Sequence, residues 1–397
     1  MNAAMLVPGF LMPMAAPGAT VFGVMFLLDS MARALLVSLI PLTAYRILQN
    51  ERDVSILYLC IGFAGLAGTL SIPFLLRLMR RKWVYSLGCL ALAGMGALIA
   101  TATLQGLAGG MWLRVFGTAA LYTTLNLYIM DYIQKRELVR TEPVRLLFGG
   151  VSWTLGPVLG VLVADRLGLW AAAAAASGCG ALLFGYFWLL RIRENPAVAP
   201  ATRPPPSMAY NLRRFWAQPR LRLAYAIAFT RGIWWTMFYV YAPLFMVKAG
   251  FDASVGALIV SIGNVTMFLS LVYGAMASRA GVRPVVAGAF LASGALSVAV
   301  GATAGQPLVA AGLLVAGAMA TVALDALGGV TFLRAVHPYE RAEMATVYST
   351  YRQIADITGP MAFAVILTFL PLPAVFAATG AMMLAMAWFA LYLPRGM

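Results

Sequence analysis

Charge-poor apolar windows of about 20 residues, long enough to cross a hydrocarbon core as helices, recur along the chain with short polar breaks between them. The pattern predicts spans at 19–42, 54–76, 84–104, 109–131, 147–168, 170–190, 223–245, 255–277, 285–304, 308–332, 354–371 and 373–393. Runs such as 83–104 and 308–333 do not alternate in polarity, which excludes barrel strands of about 10 residues. The expected fold is all-α, with twelve transmembrane helices.

A repeat organises these windows. Pro41-Leu42 recurs as Pro243-Leu244 and Arg77 as Arg279, each 202 residues on, and Gly156-Pro157 recurs as Gly359-Pro360, 203 residues on. Landmarks in one register predict two related six-helix bundles: an N-terminal half at 1–190, a linker at 191–222 and a C-terminal half at 223–397. The linker holds Arg191, Arg193, Arg203, the prolines 204–206, Arg213, Arg214, Arg220 and Arg222. The prolines favour extended chain, and 208–216 has the pattern of a short amphipathic helix lying on a membrane surface.

Composition excludes a soluble domain: 62% of the 397 residues are hydrophobic and 10% charged, against about 45–50% and 25% in soluble domains. The formal charge of +15 sorts by side. One set of loops holds Arg77, Arg80, Arg81, Lys82, Lys135, Arg136, Arg140, Arg145, the linker arginines, Arg279, Arg283, Arg334, Arg341, Arg352 and Arg395. The other holds Arg46, Arg52, Arg166 and Lys248, each near Glu51, Asp53, Asp165 or Asp252. By the positive-inside rule both termini are cytoplasmic, as in a multi-pass protein of a bacterial inner membrane. The basic charge then belongs to topology and the anionic lipid surface, with no nucleic-acid partner. Residues 1–18 lack Lys and Arg, so no cleavable leader is expected. No lysine follows a glycine, so there is no Walker A sequence. Cys60, Cys89 and Cys179 lie within spans, and the single histidine, His337, lies in a loop. Neither a metal site nor a nucleophile beside a histidine is visible, so no enzyme, cofactor or metal is expected, and the chain is expected to be a monomer.

Short motifs add a family resemblance. Gly274, Arg279, Gly281 and Arg283 stand in the pattern G-x-x-x-x-R-x-G-x-R, which resembles the signature loop G-x-L-x-D-R-x-G-x-R of the major facilitator superfamily. The first-half copy keeps Arg77, Arg80 and Arg81, while Leu76 and Ser278 stand where the family has aspartate. The family's carboxylate latch is therefore not implied. Gly150, Gly156, Pro157 and Gly160 resemble the fifth-helix motif of antiporters, and Asp29 with Pro41 matches the acidic residue and closing proline of twelve-helix drug:proton antiporters. The resemblance implies two pseudo-symmetric bundles that give alternating access to a central site, with helices 1, 4, 7 and 10 lining it and the two loops and Gly156-Pro157 acting in gating.

Charge at bilayer depth is costly unless paired or hydrated. Asp29 and Arg33 fall in the first span, Arg114 in the fourth, Arg231 in the seventh and Asp325 in the tenth, the helices that the resemblance assigns to the cavity. Asp29 and Arg33 share a helix face, and Asp29 and Arg231 are 202 residues apart, mates under the repeat. Arginine keeps its proton while aspartate can gain one, so Asp29 and Asp325 are either proton carriers or halves of structural ion pairs. Trp234, Trp235, Phe238, Tyr239 and Tyr241 crowd the seventh span, as a lining for a planar or apolar substrate or as packing. The expectation is a proton-coupled secondary transporter exporting a small organic compound. Uptake of an anionic metabolite, or a non-transporting membrane sensor, is the alternative.

The topology has a direct check. Single cysteines at 106–108 and 305–307 should react from outside intact cells with an impermeant reagent. Cysteines at 200–210 should not, and labelling there would reverse the orientation.

Overall fold

The computed structural model describes residues 19–132, 138–190, 208–337 and 340–393. Lys135, Arg136, Arg191, Arg193, Arg203, the prolines 204–206 and Arg395 lie outside these, as do the side chains of Arg140, Arg145 and Arg341. The described residues form helices α1 (Ala19–Ala34), α2 (Leu39–Leu48), α3 (Glu51–Leu78), α4 (Arg81–Ile99), α5 (Leu104–Tyr132), α6 (Leu138–Leu167), α7 (Leu169–Leu189) and α8 (Met208–Ala217) in the first part. They continue as α9 (Pro219–Lys248), α10 (Ala253–Val265), a 3-10 turn (Thr266–Leu269), α11 (Ser270–Ala280), α12 (Val282–Ala302), α13 (Pro307–Ala335), α14 (Arg341–Ser349), α15 (Tyr351–Phe369) and α16 (Pro373–Ala390). Nine segments among the described residues are long and apolar enough to cross a membrane. The helices α5, α9 and α15, of 29, 30 and 19 residues, have the length but less apolar character. They carry Arg114, Arg231, and Arg352 with Asp356.

Partners repeat between the two parts of the chain: α4 packs on α5 and α7 as α12 packs on α13 and α16, and α1 packs on α6 as α9 packs on α15. The two parts meet where α3 touches α15, α6 touches α10 and α2 touches α9. The first predicted span is broken at 35–38, between α1 and α2. Pro41 has no N–H to donate to the Val37 carbonyl, and its ring crowds that carbonyl, so the preceding turn loosens. The break lies against α6, where an added Cβ at Gly156 would collide with Ala34 and one at Gly160 with the Leu35 carbonyl. The eighth span is likewise interrupted, by the 3-10 turn, a geometry that often marks a hinge.

The linker helix at 208–216 forms as expected, as α8, but it packs against α14 and α9 as well as presenting an outer face. Phe215 and Asn211 are buried while Leu212 and Trp216 are exposed. Glu340 clamps it, accepting a hydrogen bond from Gln218 Nε2 at 3.0 Å and an ion-paired one from Arg214. Gln218 first, then Arg214, hold the Glu340 carboxyl below the usual glutamate range. Helix α14 itself was expected to be loop, because its nine residues are nearly neutral in hydropathy and carry no apolar window.

The α1–α6 contact is tight enough to test. Gly160→Ala pushes a methyl group into backbone, which should destabilise the protein by about 1–3 kcal/mol and lower its unfolding temperature in detergent. At Gly185, where an added Cβ meets nothing within 4 Å, the same substitution should be neutral or slightly stabilising.

Candidate functional site

In the N-terminal part, Asp29 and Arg33 lie one turn apart on α1, and Arg33 Nη2 donates to Asp29 Oδ2 at 2.6 Å. The pair is largely shielded, with side-chain exposures of 9% for Asp29 and 14% for Arg33. The guanidinium also sits over the Trp153 ring of α6, 5.7 Å from its centre. Asp29 Oδ1 has no hydrogen-bond partner.

In the C-terminal part, Arg231 of α9 pairs with Asp325 of α13, Nη1 to Oδ1 at 3.3 Å. It also donates to the Tyr351 hydroxyl at 2.8 Å and the Leu324 carbonyl at 3.2 Å. Gly328 makes room for it, since an added Cβ there would stand 2.7 Å from Nη1. Asp325 Oδ2 accepts from Trp235 Nε1 at 2.8 Å. Arg231 thus finds its carboxylate in its own half and not at Asp29, its mate under the repeat. Equal depth places two residues at one level without placing them face to face.

Aromatic rings join the two pairs. Trp153 lies 5.7 Å from Tyr239 between ring centres, and Tyr239 stacks on Trp235 at 5.4 Å. One line of contacts therefore runs from Asp29 through Arg33, Trp153, Tyr239 and Trp235 to Asp325 and Arg231, crossing the interface between α6 and α9. Tyr239 donates to Asn264 Oδ1 at 2.7 Å. Asn264 is fully buried just before the 3-10 turn, and its Nδ2 has no partner. Arg114, half-buried on α5, acts electrostatically on Asp29 and Tyr239, and its Nε also has no partner. Buried polar atoms of this kind need a partner from water or ligand.

Trp234 departs from the expectation. It is fully buried, donating from Nε1 to Ser297 Oγ of α12 at 2.9 Å and stacking on Phe238 at 5.3 Å, so it packs α9 into the core. Adjacent positions on a helix point about 100° apart, which is how Trp235 reaches the site and Trp234 does not. Sequence reasoning also passed over Trp153, Asn264, Tyr351, Asp356 and Arg352. The last two, expected near or beyond the end of a span, sit in the first two turns of α15. Arg352 acts on both Asp325 and Asp356, and Arg114 also acts on Asp356. Both α15 residues are exposed, as suits side chains facing a wet cavity.

The ends of the bundle differ. Where α3 begins and α9 ends, the parts are tied by a buried Ser55–Tyr241 hydrogen bond and a Lys248–Glu51 ion pair, alongside α2 on α9. Lys248, which has Asp252 close in sequence, pairs across the interface with Glu51. At the opposite end Arg77, Arg80 and Arg279 are exposed, Arg81 and Arg283 are half-buried, and Gly274 has open space around it. Gly281 takes φ 89 between α11 and α12, a left-handed geometry natural to glycine.

The family model described as Major Facilitator Superfamily matches residues 22–355. A variant of the nucleoside transporter NupG aligns over 95% of this chain and 100% of its own, with TM-score 0.76 and 14% identity. A POT family transporter in complex with 5-aminolevulinic acid aligns over 95% and 96%, with TM-score 0.75 and 11% identity. The peptide transporter POT in complex with sulfate aligns over 95% and 94%, with TM-score 0.74 and 13% identity. Identities this low make the likeness one of fold. No curated protein matches the chain in sequence.

The Arg231–Asp325 pair predicts a signature in stability. Asp325→Ala leaves a buried guanidinium without its counter-charge, so it should lower the unfolding temperature more than the double variant Arg231→Met/Asp325→Ala. A double-mutant cycle should give a coupling of about 0.5–3 kcal/mol, and additivity within error would mean that the pair contributes nothing.

Proposed function

The chain belongs to the Major Facilitator Superfamily, a transporter family and not an enzyme family, and from that membership we propose that it is a proton-coupled secondary transporter that exports a small organic compound by alternating access. One observation carries the reading: two carboxylate–arginine pairs, one in each half, are connected across the moving interface by Trp153, Tyr239 and Trp235. We take α1 with α2, α3 to α7, α9, α10 with α11, α12, α13, α15 and α16 as the twelve spans. They fall into halves at 1–190 and 223–397 joined by 191–222, in a bacterial inner membrane with both termini inside. On that orientation the Ser55–Tyr241 and Glu51–Lys248 ties are external, so this conformation is shut on the outside.

The chemistry follows from the pairs. A proton on Asp29 or Asp325 removes the charge to which its arginine is bound, freeing a guanidinium and loosening the aromatic contacts beside it. A planar substrate would stack among Trp153, Tyr239 and Trp235 and meet the free donors of Asn264 and Arg114. A substrate that also engages the Asp29 or Asp325 carboxylate would compete with the proton for it, the relation required for exchange of one against the other. Resemblance to drug:proton antiporters at Asp29, Pro41 and the Gly156-Pro157 stretch supports that direction, and the similar folds include transporters described for nucleosides and peptides. Uptake of an anionic metabolite is the second reading, favoured by the unpartnered Nε of Arg114.

Proteoliposomes test the coupling. Asn at the true carrier, Asp29 or Asp325, should preserve substrate exchange down its own gradient while abolishing transport driven by a pH gradient. Arg231→Ala should abolish both without preventing membrane insertion. Should both Asn variants keep pH-driven transport, neither aspartate carries the proton.

A further inference from the structure

An apolar cavity of about 560 Å³ lies between α8, α9, α14 and α15. Leu212 and Trp216 of α8 form one wall, Tyr225 and Phe229 of α9 another, and Ile354 of α15 a third, with Arg222 as the charged residue of the lining. Its volume falls within the range of about 300–1,000 Å³ typical of ligand sites. The hydroxyls of Tyr225 and Thr350 close on each other at 3.1 Å, so the lining offers a ligand little beyond apolar surface and Arg222.

Arg222 brings charge to the lining. Arg222 and, close to it in sequence, Arg213 and Arg220 are exposed, and none makes an ion pair among the described residues. Arg214, by contrast, is held by Glu340, which fixes α8 in place as a wall. From Arg222 to Phe229 the cavity follows seven residues of α9, or about 10 Å of helix, from the end where α9 begins toward the bundle centre. Trp216 packs against Tyr225 at 5.7 Å, an aromatic pair of the kind enriched at the membrane interface. On the orientation proposed above, an apolar slot along α9 with the unpaired Arg222 toward its cytoplasmic end is complementary to a molecule with an anionic head and an acyl tail.

We infer that this cavity is a binding site for an anionic phospholipid of the inner leaflet, its phosphate held by Arg222 with Arg213 and Arg220 and one acyl chain lying between α8, α9 and α15. The chain's own linker is a poor occupant, because 191–207 brings Arg191, Arg193, Arg203 and three consecutive prolines to a mouth that is already basic. The lipid would brace α8 against α9 and α15, the helices that carry Arg231 and Asp356, and so couple the charge of the leaflet to the stability of this conformation.

The test uses the purified full chain in a neutral detergent with phosphatidylglycerol, phosphatidylcholine of the same acyl composition, or inorganic phosphate. Phosphatidylglycerol should raise the unfolding temperature and stay bound in native mass spectrometry, while the other two do neither. The exposed triple variant Arg213→Gln/Arg220→Gln/Arg222→Gln should bind phosphatidylglycerol roughly tenfold or more weakly, as expected for three interfacial cations, and the corresponding triple Lys variant should keep most of the affinity. Phosphatidylglycerol with brominated acyl chains should quench Trp216, so Trp216→Phe should remove part of the quenching. Equal effects of the two lipids, an equal effect of phosphate alone, an unchanged triple Gln variant or unchanged quenching in Trp216→Phe would each overturn the assignment.

Discussion

A charged side chain at bilayer depth is stable only beside an opposite charge or water, and the interior of this protein is arranged around that constraint. Asp29 is answered by Arg33 and Asp325 by Arg231, and each pair lies within one half of the chain. Arg352 and Asp356, within electrostatic reach of each other, are exposed on α15. The three helices that fall short in apolar character, α5, α9 and α15, supply Arg114, Arg231, Arg352 and Asp356. In these helices the lower hydropathy follows directly from the charges they carry.

Helix breaks follow the charges. Pro41 loosens the turn at 35–38 directly after Arg33, and Gly156 and Gly160 let α6 press against that turn. This approach brings Trp153, three residues before Gly156, over the Arg33 guanidinium. In the second half the 3-10 turn after Asn264 sits beside Tyr239. Irregular backbone at membrane depth is tolerated where protein or a wet cavity covers it, and both irregularities occur beside the candidate site.

Local information made much of this legible and distant information did not. Apolar windows marked the spans because length and hydropathy are properties of a segment alone. The Asp29–Arg33 pair was readable because residues four apart share a helix face. Arg231 and Asp325 are separated by 94 positions, and only the packing of α9 on α13 brings them together. The repeat made Asp29 and Arg231 mates because it encodes depth and not azimuth, and the same missing azimuth hid the difference between Trp234 and Trp235. Asn264 carried no signal as a lone amide in an apolar stretch. The Lys248–Glu51 tie joins residues 197 positions apart and carried no local signal.

The division between contacts within a half and contacts between halves decides what can move. Both ion pairs are internal to a half, so on the proposed rocking mechanism the motion itself leaves them intact, and each opens only when a proton takes its aspartate. The polar and aromatic ties between the halves include Trp153 on Tyr239, Ser55 on Tyr241 and Glu51 on Lys248, beside the packing of α3 on α15 and α6 on α10. An aromatic pair contributes about 0.5–1.5 kcal/mol beyond its buried area, a neutral hydrogen bond about 0.5–1.5 kcal/mol, and an ion pair as exposed as Lys248, at 41%, about 0–1 kcal/mol. Together these polar and aromatic ties amount to only a few kcal/mol, within the range that a ligand can supply by binding one state more tightly than the other. These ties are thus a weak set, added to the helix packing of α3 on α15 and α6 on α10. A substrate inserted between Trp153 and Tyr239 would act on the weak set directly, and a proton on Asp29 or Asp325 would act on it through the arginine and tryptophan that each carboxylate positions.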